Sequence, residues 1–129
     1  MTQLEGTFRV VSWDEERYDA AAGQPKFTHA RVVHELAGAI EGEASICYLM
    51  VYRSDESTSF VGLATVTGAI QGKNGSFVMQ DVGVTEDGIT KGRWMVLPGL
   101  GSGELREVRG DGHFASSEAG SSYLLDLSI

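Results

Sequence analysis

The sequence predicts an all-β domain, an eight-stranded antiparallel up-and-down barrel, and three observations lead to that fold class. Seventeen glycines stand beside only two prolines, which indicates many tight turns. Runs rich in Val, Ile, Thr, Phe, Tyr and Trp lie between the turns, and these residues favour strands. Most connections are only a few residues long, so successive strands are expected to pair and the sheet to close on itself. A face-to-face sandwich is the structural alternative, but it needs longer crossovers.

The eight strands follow from the apolar runs and the turn signals between them. Three dipeptides, Asn74-Gly75, Asp87-Gly88 and Asp111-Gly112, are of the kind that supplies positive φ in a hairpin. The predicted strands are Thr7–Glu16, Phe27–Ala37, Glu41–Arg53, Ser59–Ala69, Ser76–Val84, Ile89–Leu97, Gly103–Arg109 and Ser121–Ile129.

Length and composition narrow the class of protein. A chain of 129 residues fits one domain, residues 1–129, without disulfides or metals. Its net charge of −8 disfavours nucleic acid, whose affinity depends on clustered Lys and Arg. The single cysteine, Cys47, excludes an intramolecular disulfide, and no apolar run reaches membrane-spanning length. We therefore expect a soluble cytoplasmic protein with neither a nucleic-acid nor a membrane partner.

Cofactor and metal signals are weak. The glycine-rich segment 98–104 precedes a predicted strand, whereas a dinucleotide site needs a helix there. His29 and His34 are five residues apart on a predicted strand, so they point to opposite faces and are poorly placed to share an ion. The sequence predicts no cofactor and no metal site.

Alternation along the third strand suggests a covered outer surface. One face, which includes Ile46, Tyr48 and Met50, is nearly all apolar, but the opposite face also becomes apolar at Leu49 and Val51. The last strand shows the same mixture. A homo-oligomer would account for it, although scattered apolar residues are also ordinary on a monomer surface.

Candidate site residues are acids and aromatic side chains that could reach the barrel interior. Trp13 and Glu15 share one face of the first strand, and Glu41 and Glu43 share one face of the third. An acid that points into an apolar lumen should have a raised pKa, as suits a general acid or base. At strand ends the same acids would be solvated. The predicted ligand-binding set is Trp13, Glu15, Glu43, Tyr48, Phe77, Gln80 and Trp94.

A series of short motifs, taken together, resembles a bacterial family of small domains of unknown function. The motifs are Trp13-x-Glu15, Gly38-x-x-x-Gly42-Glu43, Tyr48-Leu49-Met50, Phe60-Val61-Gly62, Gly72-x-x-Gly75-Ser76-Phe77, Trp94, Pro98-Gly99-x-Gly101-x-Gly103-Glu104-Leu105, Gly110 and Leu125-Asp126. The resemblance implies a barrel like that of allene oxide cyclase and of dirigent proteins, often self-associating, with no settled activity. Asp81 stands where the family commonly has histidine, and Leu100 where it has serine.

Three functions remain open at this point. The barrel is expected to bind a small apolar or amphipathic ligand in its mouth, with Glu15, Glu43 or Gln80 supplying polar contacts. The first alternative is an isomerase or cyclase that uses a carboxylate in the lumen. The second alternative is an oligomeric module without a ligand.

Overall fold

The computed structural model describes residues 1–18, 25–54 and 57–129, and these residues form a closed antiparallel barrel. Nine strands are present in this part of the chain, eight in the barrel and one short strand outside it. They are β1 Thr2–Arg17, β2 Lys26–Gly38, β3 Ile40–Ser54, β4 Ser57–Ile70, β5 Lys73–Glu86, β6 Ile89–Val96, β7 Ser102–Gly103, β8 Arg109–Ser117 and β9 Gly120–Ser128.

The strand order confirms the up-and-down topology. Each barrel strand pairs with its predecessor in the chain, β6 pairs with β8, and β9 returns to pair with β1. The short β7 pairs with the beginning of β5 through Gly75–Gly103 and Ser76–Ser102. Closure removes the open edges that would otherwise remain free to bind another strand.

The two ends of the barrel differ in their connections. The upper end carries the β5–β6 and β8–β9 turns. The lower end carries the β2–β3 and β4–β5 turns and the segment 97–108, which joins β6 to β8. Leu105 and Val108 of that segment are buried in the hydrophobic core. The described part of the chain contains no helix long and apolar enough to cross a membrane.

A β-bulge in β1 decides which side chains of this strand face inward. The register of β1 against β2 shifts between Val10 and Ser12. One extra residue reverses the facing of everything beyond it. Phe8 therefore faces inward before the bulge, and Trp13 and Glu15 face inward after it, opposite the buried part of β2.

The seventh predicted strand, Gly103–Arg109, is wrong. Only Ser102–Gly103 is extended there, and the strand that completes the barrel is Arg109–Ser117. Two hydrogen bonds, from the amide of Leu105 to the carbonyl of Ser102 and from the amide of Val108 to the carbonyl of Leu105, fold residues 102–108 into turns. These turns bury both Leu105 and Val108, a spacing of three that alternation along a strand does not produce.

Two of the three predicted turn pairs are also wrong. Asp87-Gly88 is confirmed, with φ values of 52° and 80°. Asn74-Gly75 lies within β5, and the β4–β5 turn is at Gln71-Gly72, with φ values of 52° and 78°. Asp111-Gly112 lies within β8. There Gly112 is required for packing, because a Cβ would lie 2.6 Å from Cδ2 of Leu125.

Candidate functional site

A cavity of about 100 Å³ lies inside the barrel toward its upper end. We call it the upper cavity. Its wall is mostly aromatic and aliphatic, with four hydroxyl-bearing side chains, one of them a tyrosine, and one imidazole. Trp13 stands at its mouth with 47% of its surface exposed. The lining residues are Phe8, Val10, Trp13, His34, Tyr48, Met50, Phe60, Thr85, Thr90, Phe114 and Ser116.

The rings of the wall contact one another in a chain. Trp13 stacks on Tyr48 at a centroid distance of 6.3 Å, and Tyr48 meets Phe60 edge to face at 5.2 Å. Phe114 then links Phe60, at 6.4 Å, to Phe8, at 6.0 Å. Aromatic pairs at these distances and tilts attract one another beyond simple burial. The positions of these rings therefore set the space that the wall encloses.

Inward-facing glycines make room for these rings. A Cβ on Gly62 would lie 2.7 Å from Cδ1 of Tyr48, and one on Gly92 would lie 2.4 Å from Cε1 of Phe114. Both glycines are cross-strand neighbours of the ring that covers them. The side chain of Tyr48 can therefore lie across β4 and reach the next strand, β5.

Glu15 forms the polar rim of the mouth. Its carboxylate accepts hydrogen bonds from Nε1 of Trp13 at 2.9 Å, from the hydroxyl of Thr28 at 2.6 Å and from the hydroxyl of Tyr52. Partial burial raises its pKa, but these hydrogen bonds and the nearby Lys26 outweigh that effect, so the pKa of Glu15 lies below its usual value. Burial and the Glu15 contact raise the pKa of Tyr52 to about 12. Glu15 is thus an ionised carboxylate that holds Trp13 in place.

His34 is the buried imidazole of the cavity wall. Its side chain is 5% exposed and lies against Phe8, with ring centroids 4.8 Å apart. Within the described residues, its Nδ1 is enclosed and has no hydrogen-bond partner. Burial lowers the pKa of His34 to about 4, so the ring is neutral at physiological pH.

A buried carboxyl lies behind Tyr48. The Tyr48 hydroxyl donates a 2.6 Å hydrogen bond to Oδ2 of Asp81, and Asp81 is only 1% exposed. Burial raises the pKa of Asp81 to about 6, opposed by the hydrogen bond from Tyr48 and by the indole of Trp94. Among the described residues, Oδ1 of Asp81 and Nε1 of Trp94 have no well-aligned partner. Burial and the neighbouring carboxylate raise the pKa of the Tyr48 hydroxyl.

The structure brings only some of the predicted site residues together. Trp13 and Tyr48 line the upper cavity, and Glu15 lies at its mouth. Phe77 and Trp94 are buried core residues that do not line it. Glu43 and Gln80 are exposed on the outer face of the barrel, so neither can supply a polar contact inside it.

Sequence reasoning missed His34, Phe8, Phe60 and Phe114. Strand alternation places His34 on the face opposite His29, which argues against a metal ion shared by the two histidines. The same alternation puts His34 in the inward row with Val32 and Leu36, and this row could have identified it. Nowhere in residues 1–18, 25–54 and 57–129 do three His, Cys, Asp or Glu side chains lie close enough to hold a metal ion.

The outer surface carries a patch of apolar side chains. Leu49, Val61 and Val82 are cross-strand neighbours on β3, β4 and β5, and each is between 42% and 51% exposed. Beside them, Leu63 pairs with Cys47 and is 55% exposed. We call these five residues the outer apolar patch. Patches that join several apolar side chains are a feature of interaction surfaces.

Comparison with known proteins agrees with the fold. The chain is similar to a crystal structure from Shewanella oneidensis MR-1, a protein of unknown function from the DUF3224 family, with a TM-score of 0.86 and 24% identity. The alignment covers 100% of this chain and 97% of that one. No curated protein gives a significant match. The family model described as "Protein of unknown function (DUF3224)" matches residues 4–127, and the chain therefore belongs to the DUF3224 family.

Proposed function

We propose that the protein binds a small apolar or amphipathic molecule in the upper cavity. The observation that carries this proposal is the cavity itself, an aromatic-walled space in a barrel interior that is otherwise filled by buried side chains. Closed barrels present a fixed wall to a single ligand, and binding sites are typically apolar with a few polar groups. The cavity meets both conditions.

The volume limits the size of the enclosed group. An apolar cavity of about 150 Å³ accommodates benzene in another protein, so a cavity of about 100 Å³ encloses part of one small ring or a short branched chain. A larger ligand must extend past Trp13 into solvent. The exposed indole, held by Glu15, would then cover the part of the ligand that projects from the mouth.

Toluene is a suitable probe because it is apolar and can place its methyl group and part of its ring in the cavity. In a titration of the full chain followed by NMR, we expect a saturable shift of the Trp13 indole N–H resonance, with a Kd on the order of 1 mM. Filling the cavity with Ser116→Leu should weaken binding at least tenfold. Ser122→Leu, on the outer face of the same hairpin, is the matched control and should leave binding unchanged.

The proposal fails if toluene produces no saturable shift up to its solubility limit. It also fails if Ser116→Leu and Ser122→Leu have the same effect, because the shifts would then arise outside the barrel.

A second candidate is proton-transfer catalysis of the isomerase or cyclase type, and Asp81 is the observation that favours it. A carboxyl whose pKa is raised to about 6 suits a general acid or base near neutral pH. The Asp81 carboxyl does not line the upper cavity, however, and Tyr48 lies between them. Glu15, the acid nearest the mouth, has a lowered pKa and is fully engaged in hydrogen bonds. Binding without chemistry is therefore the better-supported function.

Self-association is a third candidate, favoured by the outer apolar patch. A stable dimer buries about 800 Å² per partner, so these five side chains would form the centre of an interface with a polar rim. Light scattering after size exclusion should show a dimer that Leu63→Asp dissociates. The control Thr65→Asp, next to the patch on β4, should leave the dimer intact. A wild-type monomer at micromolar concentration contradicts this candidate.

A further inference from the structure

The upper cavity contains one polar side chain that the protein leaves without a partner. Thr85 and Thr90 hydrogen-bond each other at 2.8 Å, and Ser116 bonds Ser121 at 2.6 Å. The Tyr48 hydroxyl is committed to Asp81. Among the polar residues of the lining, only His34 has a side-chain nitrogen enclosed without a partner in the described part of the chain.

Leaving this imidazole unpaired has an energetic cost. A buried polar group without a hydrogen bond costs about 1–3 kcal/mol relative to a satisfied one, and such groups in native proteins call for an explanation. His34 lies against the ring of Phe8 and could be replaced by an apolar side chain without loss of any hydrogen bond to a described residue. The enclosed Nδ1 is out of reach of a ligand, so a ligand in the cavity pairs with the other ring nitrogen, Nε2, which is not enclosed and has no hydrogen bond from a described residue. A ligand that bonds Nε2 explains why a histidine stands here.

The surroundings also select for a neutral ligand. Of the residues that the structure describes, no Lys, Arg, Asp or Glu lines the upper cavity, so the described wall offers a counter-charge to neither an anion nor a cation. The carboxylate of Glu15 at the mouth disfavours an entering anion. The lowered pKa of His34 shows that the cavity also disfavours positive charge on the imidazole.

We infer that the ligand of the upper cavity is a neutral ring compound with one hydroxyl group, such as a phenol, and that His34 forms the hydrogen bond that recognises this hydroxyl. This inference rests on the proposed binding function and names its ligand class. A hydroxyl both donates and accepts, so it can pair with a neutral imidazole in either tautomer.

Toluene and p-cresol, which differ by one hydroxyl, test this inference directly. In NMR titrations of the full chain, wild-type protein should bind p-cresol about three- to tenfold more tightly than toluene, the range expected of one net hydrogen bond. His34→Leu should bind both probes with equal affinity.

Leu36→Met is the matched control for His34→Leu. Leu36 lies on the same strand, is 3% exposed and does not line the cavity, so this volume-conserving change should keep the preference for p-cresol. Thermal unfolding of both variants checks that each remains folded, and the affinity ratio of the two probes is compared within each variant.

The outcomes separate this inference from the proposed function. Equal affinity of wild-type protein for the two probes, or a preference that survives in His34→Leu, overturns the role of His34 while leaving ligand binding intact. Tighter binding of p-toluate or 4-methylbenzylamine than of p-cresol overturns the neutral ligand class. If toluene and p-cresol both fail to bind, the proposed function itself fails.

Discussion

The two ends of the barrel interior are built from the same alternating strands, but the lower end is filled by side chains whereas the upper end contains a cavity. At the lower end, Ile40, Ile70 and Leu127 are completely buried and fill the space. The polar group there is fully paired, because the Tyr123 hydroxyl donates to the carbonyl of Ala37 at 2.7 Å and accepts from the amide of Ile40 at 2.9 Å. Toward the upper end, His34 is unpaired beside a cavity.

This difference separates the end of the barrel that contributes stability from the end that is a candidate for function. An end that is filled by buried side chains and whose tyrosine hydroxyl is paired on both sides contributes to folding in the way expected of a protein core. An end with a cavity and an unsatisfied imidazole gives up stability that the same fold could have had. Sites at which local rules are broken in this way are candidates for function.

Truncation of apolar side chains should show the largest contrast between the two ends. Leu127→Ala removes a completely buried side chain at the lower end and should lower the free energy of unfolding by about 2–5 kcal/mol. Val10→Ala removes methyl groups that line the upper cavity on a residue 49% exposed, and should cost less than about 1 kcal/mol. Urea unfolding measures both, and equal losses would contradict the contrast.

The second-largest expected effect is the pH dependence of the free energy of unfolding. In the wild-type protein two opposing trends conceal it. The pKa of Asp81 is raised from 3.8 to about 6, so this group makes stability fall as pH rises between those values, by about 3 kcal/mol in total. The pKa of His34 is lowered from 6.5 to about 4, so this group makes stability rise with pH over nearly the same range, by a similar amount. The two trends oppose each other.

Single substitutions should reveal each trend. Asp81→Asn leaves only the His34 trend, so its stability should rise from pH 4 to pH 6.5 and exceed that of the wild type above pH 6. His34→Leu leaves the Asp81 trend, so its stability should fall from pH 4 to pH 6. Glu15, with its lowered pKa, adds a smaller rise with pH near and below 4.5 in both variants. Urea unfolding across this range measures the slopes, and parallel slopes in the two variants would contradict the assigned shifts.

Removal of the Tyr123 hydroxyl at the lower end should have the smallest of the three expected effects on stability, and it should lower the free energy of unfolding. Tyr123→Phe leaves the Ile40 amide without its partner and should cost about 1–3 kcal/mol. His34→Leu, which breaks no hydrogen bond within the described residues, should cost nothing at pH 7. Thermal unfolding at that pH compares the two, and a greater loss from His34→Leu than from Tyr123→Phe would contradict the view that only the lower end is optimised.

Much of the barrel follows from the sequence because alternation and short connections are local. Seven of the eight predicted barrel strands correspond to observed ones. The error at Gly103–Arg109 arose because Leu105 and Val108 mimic a strand while they are buried by turns. Asp111-Gly112 has the sequence of a turn. Gly112 is instead needed because it packs against Leu125 on another strand, and the local sequence does not show that contact.

The candidate site was predictable only in part. The pairing of Trp13 with Glu15 on one face is correct, because no bulge separates them. The locations of Glu43 and Gln80 depend on which face of a partly apolar strand turns inward, and local sequence does not determine that. The isolation of His34 depends on the six other strands that contribute to the cavity wall, and the burial of Asp81 depends on Tyr48 and Trp94 from other strands, so neither could be derived from spacing along the chain.

Xenon pressurisation of crystals of the full chain tests the central claim most directly, because xenon occupies apolar cavities without a chemical preference. The account predicts one strong xenon site inside the barrel, in the upper cavity between Phe8, His34 and Phe60, with no site among Ile40, Ile70 and Leu127. An empty upper cavity, or xenon at the lower end, would contradict the division of the barrel into a packed end and a binding end.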